Sequence, residues 1–303
     1  MLEIHIRKVS EILRRENLES PKPYIFTDGN PNTMDDYARS IKRLKRPTGR
    51  VDVVLDTDMY NEVDDQFALA YLLQNMDRLN LKGIYAAPFY NHHSEGPADG
   101  MEKSYHEIFH VLDLLGRREY EDLVFKGSPD FLKDENAPID SPAAREMIRL
   151  SQGYTEENPL YIIGIAACTN IASAFLMDPG MKDRVFVVWL GGMGFDWHDN
   201  ASFNAGQDVA AARVLLNSGA PLALIPGRGV LDRFVTTGPE MDYWLRGKNA
   251  FCDYIVDKTA GEAAVTNGEK CWSRPLSDVV AVAWLLGNNF TLDRLEHSPV
   301  MQY

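Results

Sequence analysis

The chain has 303 residues, of which 45% are apolar and 25% are charged. This length and composition are typical of a folded protein with a substantial core, and they exclude a disordered chain. The formal net charge is −13. Because so acidic a chain repels phosphate groups, we expect no nucleic-acid partner. A small neutral or cationic ligand, or a bound cation, suits this charge better.

The cysteines and the first residues predict the cellular compartment. Cys168, Cys252 and Cys271 cannot all pair and lack the spacing of a metal site, which favours a reducing cytoplasm. The first ten residues carry charged side chains and no apolar run, so we expect no signal peptide. No segment approaches the roughly 20 apolar residues that span a bilayer, so we expect no membrane partner.

Residues 1–50 are predicted to form an N-terminal extension, helical and turn-rich, ahead of a larger domain over residues 51–303. Apolar residues recur with helical spacing over residues 4–14, and a stretch rich in proline, glycine and asparagine follows over residues 21–32. The extension ends in a basic run over residues 42–50. We interpret this run as a solvated helix end and linker, with a docking surface for a second subunit as the alternative.

From residue 51 onward, apolar, β-branched runs alternate with helical patterns. The predicted strands are Val51–Leu55, Leu81–Pro88, Leu123–Lys126, Leu160–Ala167, Val185–Leu190 and Leu222–Pro226. The predicted helices are Asp65–Met76, Gly100–Leu115, Ser141–Ser151 and Gln207–Asn217. This alternation predicts an α/β fold with a mostly parallel central sheet and helices on both faces. Ligands bind such sheets beyond the carboxyl ends of the strands, so a site is expected just after these runs.

Five acidic residues lie within ten positions after the first predicted strand: Asp56, Asp58, Glu62, Asp64 and Asp65. Asp64 and Asp65 fall in the first turn of the next helix, where they can cap it and favour its dipole. Capping leaves Asp56 and Asp58 unexplained, because close like charges raise each other's pKa and oppose folding. A bound cation removes this conflict. Since the ligands are hard oxygen donors with no His or Cys among them, calcium or magnesium is expected rather than zinc.

Further segments place polar residues after the later strands. They are Ile84-Tyr-Ala-Ala-Pro-Phe-Tyr-Asn91, Ile163-Gly-Ile-Ala-Ala-Cys-Thr169-Asn170, Val187-Val-Trp-Leu-Gly-Gly192, Ala201-Ser-Phe-Asn204 and Ser277-Asp278-Val-Val-Ala-Val-Ala283. Taken in order with Asp56-Thr-Asp58 and Asp64-Asp65, they resemble the inosine–uridine-preferring nucleoside hydrolases over roughly residues 51–290. The resemblance implies a nucleoside-hydrolase-like α/β fold and a catalytic domain over residues 51–303.

The resemblance also implies an activity, a metal and a set of site residues. It implies calcium-dependent hydrolysis of the N-glycosidic bond of a ribonucleoside or related N-riboside, giving ribose and free base. Members of this family usually form dimers or tetramers, so a homodimer or homotetramer is expected. The calcium would be held by Asp58, Asp65, the carbonyl of Thr169 and Asp278, with Asp56 supporting this set. The ribose hydroxyls would be held by Asp64, Asn91 and Asn204, and Asp58 would also be the general base.

The chemistry of the reaction calls for such a set of residues. Cleavage of an N-glycosidic bond makes the sugar oxocarbenium-like and places charge on the leaving base. A metal lowers the pKa of a water, and a nearby carboxylate can take its proton. Hydrogen bonds to the ribose hydroxyls orient the sugar toward that water.

Two positions depart from the family pattern. Ser277 stands where the family has the His that protonates the leaving base, and Ser202 stands where it has a Glu that contacts ribose. Serine is a poor acid at neutral pH, so either another residue supplies the proton or the leaving group needs less help. Ser202 stays a candidate for binding substrate.

Three residues are candidates for the side of the site that faces the base. Trp197 can stack on a base and His198 can donate a proton, although an exposed loop anchored by a Trp is the alternative. His92 and His93 directly follow Asn91, and we expect His92 to bind substrate.

Two other functions compete with hydrolysis. A phosphatase of the haloacid-dehalogenase type also begins with Asp-x-Asp after a strand, but it leaves Asp64 and Asp65 without a role. A non-catalytic, calcium-dependent nucleoside- or ribose-binding protein on the same scaffold is favoured by Ser277 and Ser202. Release of ribose, release of phosphate, or binding without turnover separates the three.

Overall fold

The computed structural model describes residues 34–195, 197–199, 201–227, 231, 234–267, 272–287, 291–299 and 301. The helix predicted over residues 4–14 and the residue Cys271 lie outside the described residues. Within them, no helix combines the length and the apolar character that crossing a membrane requires.

A six-stranded sheet forms the centre of the fold, and every neighbouring pair of its strands is parallel. Its strands are β1 (Val51–Thr57), β2 (Leu79–Ala86), β3 (Val124–Lys126), β4 (Leu160–Gly164), β5 (Val185–Leu190) and β6 (Leu222–Ile225). The order is β3-β2-β1-β4-β5-β6, so the chain starts in the middle and builds outward on both sides. From β1 the chain adds β2 and β3 on one side and then β4, β5 and β6 on the other, so the switch point of the sheet lies between β1 and β4. The carboxyl ends of these two strands flank the crevice where such sheets bind ligands. The predicted parallel α/β sheet is confirmed.

Ten α-helices lie among the described residues. They are α1 (Met34–Arg43), α2 (Asp64–Gln74), α3 (Pro97–Leu114), α4 (Pro142–Ser151), α5 (Thr169–Met177), α6 (Phe203–Gln207), α7 (Val209–Asn217), α8 (Gly238–Trp244), α9 (Ala250–Asn267) and α10 (Val279–Leu286). Short 3₁₀ turns span Arg118–Leu123 and Pro179–Asp183, and β7 (Val235–Thr237) pairs with β8 (Ser273–Pro275) in an antiparallel ribbon. The four predicted helices correspond to α2, α3, α4 and α7.

Some elements had no clear signal in the sequence. Helix α5 is buried on all sides from Thr169 to Phe175, so it lacks the polar face that reveals an amphipathic helix. The predicted helix from Gln207 begins instead at Val209, because the Asp208 side chain accepts a hydrogen bond from the backbone N–H of Ala211 and caps it. Helix α9 and the β7–β8 ribbon were not predicted.

The core consists of two layers, one on each face of the sheet. Along β1, Val53 and Leu55 belong to the layer under α2, α3 and α10, whereas Val54 belongs to the layer under α4, α5 and α7. All three side chains are fully buried. Because successive strand residues point to opposite faces, the apolar side chains of β1 fill both layers, and its fully buried polar residues, Asp56 and Thr57, lie at its carboxyl end.

The basic run over residues 42–50 is partly engaged within the chain. Arg43 donates to the backbone carbonyl of Lys182 at 2.6 Å, and Arg46 pairs with Asp293 at 2.6 Å. Arg46 also lies over the ring of Trp284. These contacts fix the chain just before β1, and the division of the chain at residue 50 stays a prediction.

Candidate active site

The acidic segment forms the end of β1, the loop after it and the first turn of α2. Asp56, Asp58, Asp64 and Asp65 are each at most 5% exposed. The loop that connects Asp58 to Asp64 is fixed to the interior by Met59, whose side chain is fully buried. The backbone N–H of Asn61 donates to the carbonyl of Asp58 at 2.7 Å, which closes a turn. The loop therefore holds its carboxylates in the interior rather than in solvent.

Neighbouring polar groups fix these carboxylates in place. The Asn170 amide donates to Asp56 Oδ1 at 2.8 Å, and the hydroxyl of Thr57 donates to Asp65 Oδ1. Asn170 lies in the first turn of α5, which follows β4, the neighbour of β1. The Thr-Asn pair of the sequence motif is thus brought to the acidic segment by the order of the strands.

Asp278 completes the cluster from a distant part of the chain. Helix α10 packs against α2, and Asp278 directly precedes α10. The backbone N–H of Asp278 donates to Asp64 Oδ2 at 3.3 Å. Carboxylate oxygens of Asp64, Asp65 and Asp278 lie within 4.8 Å of one another, close enough to share one ion.

Burial raises the pKa of every carboxyl group in this cluster. It raises the pKa of Asp56 to about 7, that of Asp64 to about 8 and that of Asp65 to about 6. The pKa values of Asp58 and Asp278 are raised well above the usual range by burial and, secondly, by the other carboxylates. Like charges in a buried site are costly without a cation to offset them.

The donor set fits a divalent cation that prefers oxygen. Oδ2 of Asp56 and Oδ2 of Asp58 are buried and have no hydrogen-bond partner among the described residues. Such orphaned carboxylate oxygens are rare in folded proteins unless an ion or a water satisfies them. With Asp64, Asp65 and Asp278 alongside, the cluster can hold a metal ion of the calcium or magnesium type.

Thr169 is held beside the cluster by a second network. Its hydroxyl donates to Asp208 Oδ2 at 2.7 Å, and Asp208 also accepts from the backbone N–H groups of Leu132 and Ala211, both at 2.8 Å. Thr169 is fully buried and opens α5. Asp208 thus ties the start of α5 to the start of α7, and this carboxylate had no role in the sequence motifs.

Three predicted substrate residues are held by hydrogen bonds to the protein. The Asn204 amide donates to the carbonyls of Ile165 and Leu190 at 3.1 and 2.9 Å. Asn91 donates to Asn61 Oδ1 at 2.6 Å. The side chains of Asn204 and Asn91 therefore lie at the carboxyl ends of the strands. The Ser202 hydroxyl accepts from the N–H of Gly192 at 2.7 Å and from that of Ala205 at 3.3 Å, where it caps α6.

A cleft of about 180 Å³ opens beside the acidic loop. Its lining residues are Asn61, Glu62, His92, His93, Glu262, Val265 and Arg274. Arg274 pairs with Glu62 at 2.8 Å, and its charge also opposes the burial-driven rise in the pKa of Asp64. His93 Nε2 lies 3.4 Å from Glu262 Oε2. The predicted His92 lines this cleft, and so does the neighbouring His93, for which the sequence predicted no role. Glu262 and Arg274 were missed because α9 and the ribbon carried no motif.

The loop with Trp197 and His198 lies at the surface. The Trp197 side chain is 46% exposed, and that of His198 is 75% exposed. His198 Nδ1 lies 2.9 Å from its neighbour Asp199, and its ring packs edge-on against Trp197. The structure thus does not bring His198 into the acidic cluster, and its role as the acid stays a prediction.

Comparisons with solved structures agree with this architecture. A purine-preferring ribonucleoside hydrolase from Gardnerella vaginalis is 26% identical, with a TM-score of 0.57 over 77% of this chain and 78% of that protein. A plant nucleoside hydrolase is 18% identical, with a TM-score of 0.58 over 78% of each chain. The nucleoside hydrolase from Bacillus anthracis is 17% identical, with a TM-score of 0.53 over 78% of this chain and 82% of that one. The last two likenesses, below 25% identity, concern the fold alone.

Sequence comparison places the chain in one family. No curated protein sequence matches this chain significantly. The model of the family described as inosine-uridine preferring nucleoside hydrolase matches residues 53–300, which include all but the first two residues of the sheet, the loop after β1 and Asp278. Fold, buried carboxylate cluster and family match agree, and the chain therefore belongs to the inosine–uridine-preferring nucleoside hydrolase family.

Proposed function

We propose that this protein hydrolyses the N-glycosidic bond of a ribonucleoside or a related N-riboside, giving ribose and free base, and that the reaction depends on calcium. The observation that carries the proposal is the buried carboxylate cluster at the switch point of the sheet, with Asp58 Oδ2 left without a partner among the described residues. A small-molecule nucleoside is the partner that this site and the acidic chain favour.

Calcium would be held by Asp58, Asp65, the carbonyl of Thr169 and Asp278, with Asp56 supporting this set. When bound, the ion supplies positive charge that lowers the pKa of a water and offsets the buried carboxylates. The burial of all five residues favours this assignment, since their side chains gain nothing from solvent.

Asp58 is the proposed general base. Its Oδ2 is buried and lacks a hydrogen-bond partner among the described residues, so it is available to accept a proton from the attacking water. The turn is closed by the backbone carbonyl of Asp58, which accepts from the N–H of Asn61. The side chain of Asp58 takes no part in this turn and is available to the substrate.

The residues proposed to bind ribose have donor or acceptor atoms that the protein itself does not use. Both N–H bonds of Asn204 are engaged by backbone carbonyls, so its Oδ1 remains as an acceptor for a ribose hydroxyl. Asn91 gives one N–H to Asn61 and keeps the second for substrate. The Ser202 oxygen accepts two backbone N–H groups, which leaves its O–H as the donor. Asp64 is the proposed acceptor for another hydroxyl.

A binding protein on the same scaffold is the second candidate, because Ser277 and Ser202 stand where the family has His and Glu. The test is incubation with purine and pyrimidine ribonucleosides in calcium or in a chelator, scored for free ribose and base. Calcium-dependent release of both supports hydrolysis. Micromolar binding by calorimetry with no release over hours identifies the binding protein, and phosphate release from phosphomonoesters identifies a phosphatase.

Two further expectations accompany the proposal. A homodimer or homotetramer is expected from the resemblance to the family, and light scattering after gel filtration measures it. The cytoplasmic location stays a prediction from the cysteines, and cell fractionation tests it.

A further inference from the structure

The proposed reaction needs a proton donor that position 277 does not provide. A purine or pyrimidine that leaves as an anion is a poor leaving group, so protonation on nitrogen as the bond breaks lowers the barrier. Ser277 cannot do this at neutral pH, and His198 lies at the surface, 75% exposed. The proton must therefore come from another group in a cleft beside the acidic cluster.

The cleft beside the acidic loop adjoins the predicted ribose position. Its residues Asn61 and Glu62 lie in the loop between Asp58 and Asp64. Asn61 accepts a hydrogen bond from Asn91, which is one of the residues proposed to bind ribose. A nucleoside whose sugar lies against Asp64 and Asn91 therefore directs its base toward this cleft.

We propose that His93, held by Glu262, donates the proton to the leaving base; this inference rests on the proposed hydrolase function. His93 is fixed at three points. Its N–H donates to Asn91 Oδ1 at 2.8 Å, its carbonyl accepts from Lys103 Nζ at 2.9 Å, and its Nε2 lies 3.4 Å from Glu262 Oε2. An imidazole held by a carboxylate is the common arrangement for proton transfer, since the carboxylate orients the ring and stabilises its charged form.

The other groups in the cleft are less suited to this task. Arg274 does not release a proton in proteins, and it is paired with Glu62. His92 is exposed, and its ring lies against that of His93 at a tilt of 42°, with centroids 3.8 Å apart. Glu262 lies against His93 and serves to orient it. His93 is only 24% exposed, and with Nε2 facing Glu262 its Nδ1 is left for the substrate.

The proton transfer balances as a simple hydrolysis. The bond between C1′ and the base nitrogen breaks, its electron pair goes to that nitrogen, and the proton on His93 Nδ1 moves to the base. The water oxygen bonds to C1′, and a proton of that water moves to Asp58. After the products leave, solvent takes the proton from Asp58 and returns one to His93, so the net change is the addition of one water.

The experiment compares two substrates that differ in their need for an acid. Inosine needs protonation of its base, whereas 4-nitrophenyl β-D-riboside releases a stable nitrophenolate without it. For His93→Gln we expect kcat on inosine to fall about 10²–10⁴-fold and kcat on the nitrophenyl riboside to fall less than about threefold. Glu262→Gln should show the same selectivity with a smaller loss, since it only orients the ring. His106→Gln, an exposed His on α3, is the matched control and should leave both rates unchanged.

Several outcomes would overturn the assignment. Equal losses on both substrates would show that His93 positions the substrate or supports the fold, and unchanged inosine turnover would show that the reaction needs no acid from this cleft. The ligand atoms of His92, His93 and Glu262 lie within 4.8 Å of one another and could instead hold zinc. Loss of wild-type activity on a zinc-selective chelator, with calcium present, would favour that metal role over proton transfer. A wild-type protein that releases ribose neither from these two substrates nor from any purine or pyrimidine ribonucleoside would refute the proposed function itself.

Discussion

At the scale of single residues, the site depends on charges that the fold would avoid without a ligand. Asp58 is 1% exposed, and its pKa is raised by burial and by the nearby carboxylates of Asp65 and Asp64. Breaking such a cluster by removing one carboxylate lowers the repulsion but also removes a ligand. We therefore expect the loss of one carboxylate to raise the stability of the metal-free protein and to lower its activity.

Asp58→Asn tests this opposition. We expect turnover to fall by at least about 10³-fold, since both the base and a calcium ligand are lost. The metal-free variant should unfold at a higher temperature than the metal-free wild type, because one buried charge is gone. Release of ribose measures the turnover, and differential scanning calorimetry with chelator and with calcium measures the unfolding temperature. Asp183→Asn, about half exposed beside Arg43, is the control and should change neither. Full activity in Asp58→Asn would refute the role of Asp58.

Ser277 and Asp278 are neighbours that should respond very differently. Asp278 contacts Asp64 and lies in the carboxylate cluster, so Asp278→Asn should lose calcium binding by calorimetry and most of its turnover. Ser277→Ala should keep calcium binding and lose less than about threefold in kcat. If Ser277→Ala bound calcium normally but were inactive, the serine would be the acid after all.

At the scale of elements, the site is assembled where helices begin. Helices α2, α5 and α10 each start at the carboxyl edge of the sheet or next to it, and each contributes a predicted ligand at its first turn or cap: Asp65, Thr169 and Asp278. Asp208 joins two such helix starts, because it caps α7 and accepts a hydrogen bond from the hydroxyl of Thr169.

Asp208→Ala should therefore affect both stability and metal binding. It leaves the N–H of Leu132, the N–H of Ala211 and the hydroxyl of Thr169 without their acceptor. We expect a loss of about 2–4 kcal/mol in the free energy of unfolding, combining a lost helix cap with unsatisfied buried donors. Calcium affinity should fall as Thr169 shifts. Asp178→Ala, which removes the cap of a part-exposed 3₁₀ turn and an ion pair with Arg184, is the control and should cost about 0.5–2 kcal/mol without any change in calcium affinity.

At the scale of the whole molecule, the acidic chain concentrates buried carboxylates in one place. The formal net charge is −13, and the cluster adds repulsion that solvent does not screen. In the metal-free protein, the stability of the fold is therefore tied to the protonation of this cluster.

The metal-free protein should lose stability as pH rises. The folded pKa values of Asp65, Asp56 and Asp64, about 6, 7 and 8, lie above the ordinary value of 3.8. A raised pKa means that the stabilisation is complete below the unfolded pKa and is lost as pH rises through the folded pKa. Between about pH 5 and pH 8, the Tm in chelator should fall, and the increase in Tm on adding calcium should grow. A Tm in chelator that rises steadily over this range would contradict the assignment.

The sequence alone determined the parallel sheet and the strand-end position of the acidic segment. Both are properties of local pattern, since apolar runs of strand length and amphipathic helices are visible along the chain. The resemblance to the family added Thr169 and Asp278 as distant partners. Helix α5 was not predicted, because a helix that is buried on all sides shows no alternation of apolar and polar residues. Helix α9 and the β7–β8 ribbon were not predicted, because they carry no motif.

The tertiary structure alone decided which groups share the site. Asp64 and Asp278 are 214 positions apart, and only the packing of α10 on α2 places them in contact. The approach of Glu262 to His93 and the bridge from Asp208 to Thr169 are likewise contacts between elements far apart in sequence. No spacing or composition encodes such contacts, because they depend on the crossing of elements over the sheet rather than on local conformational preference.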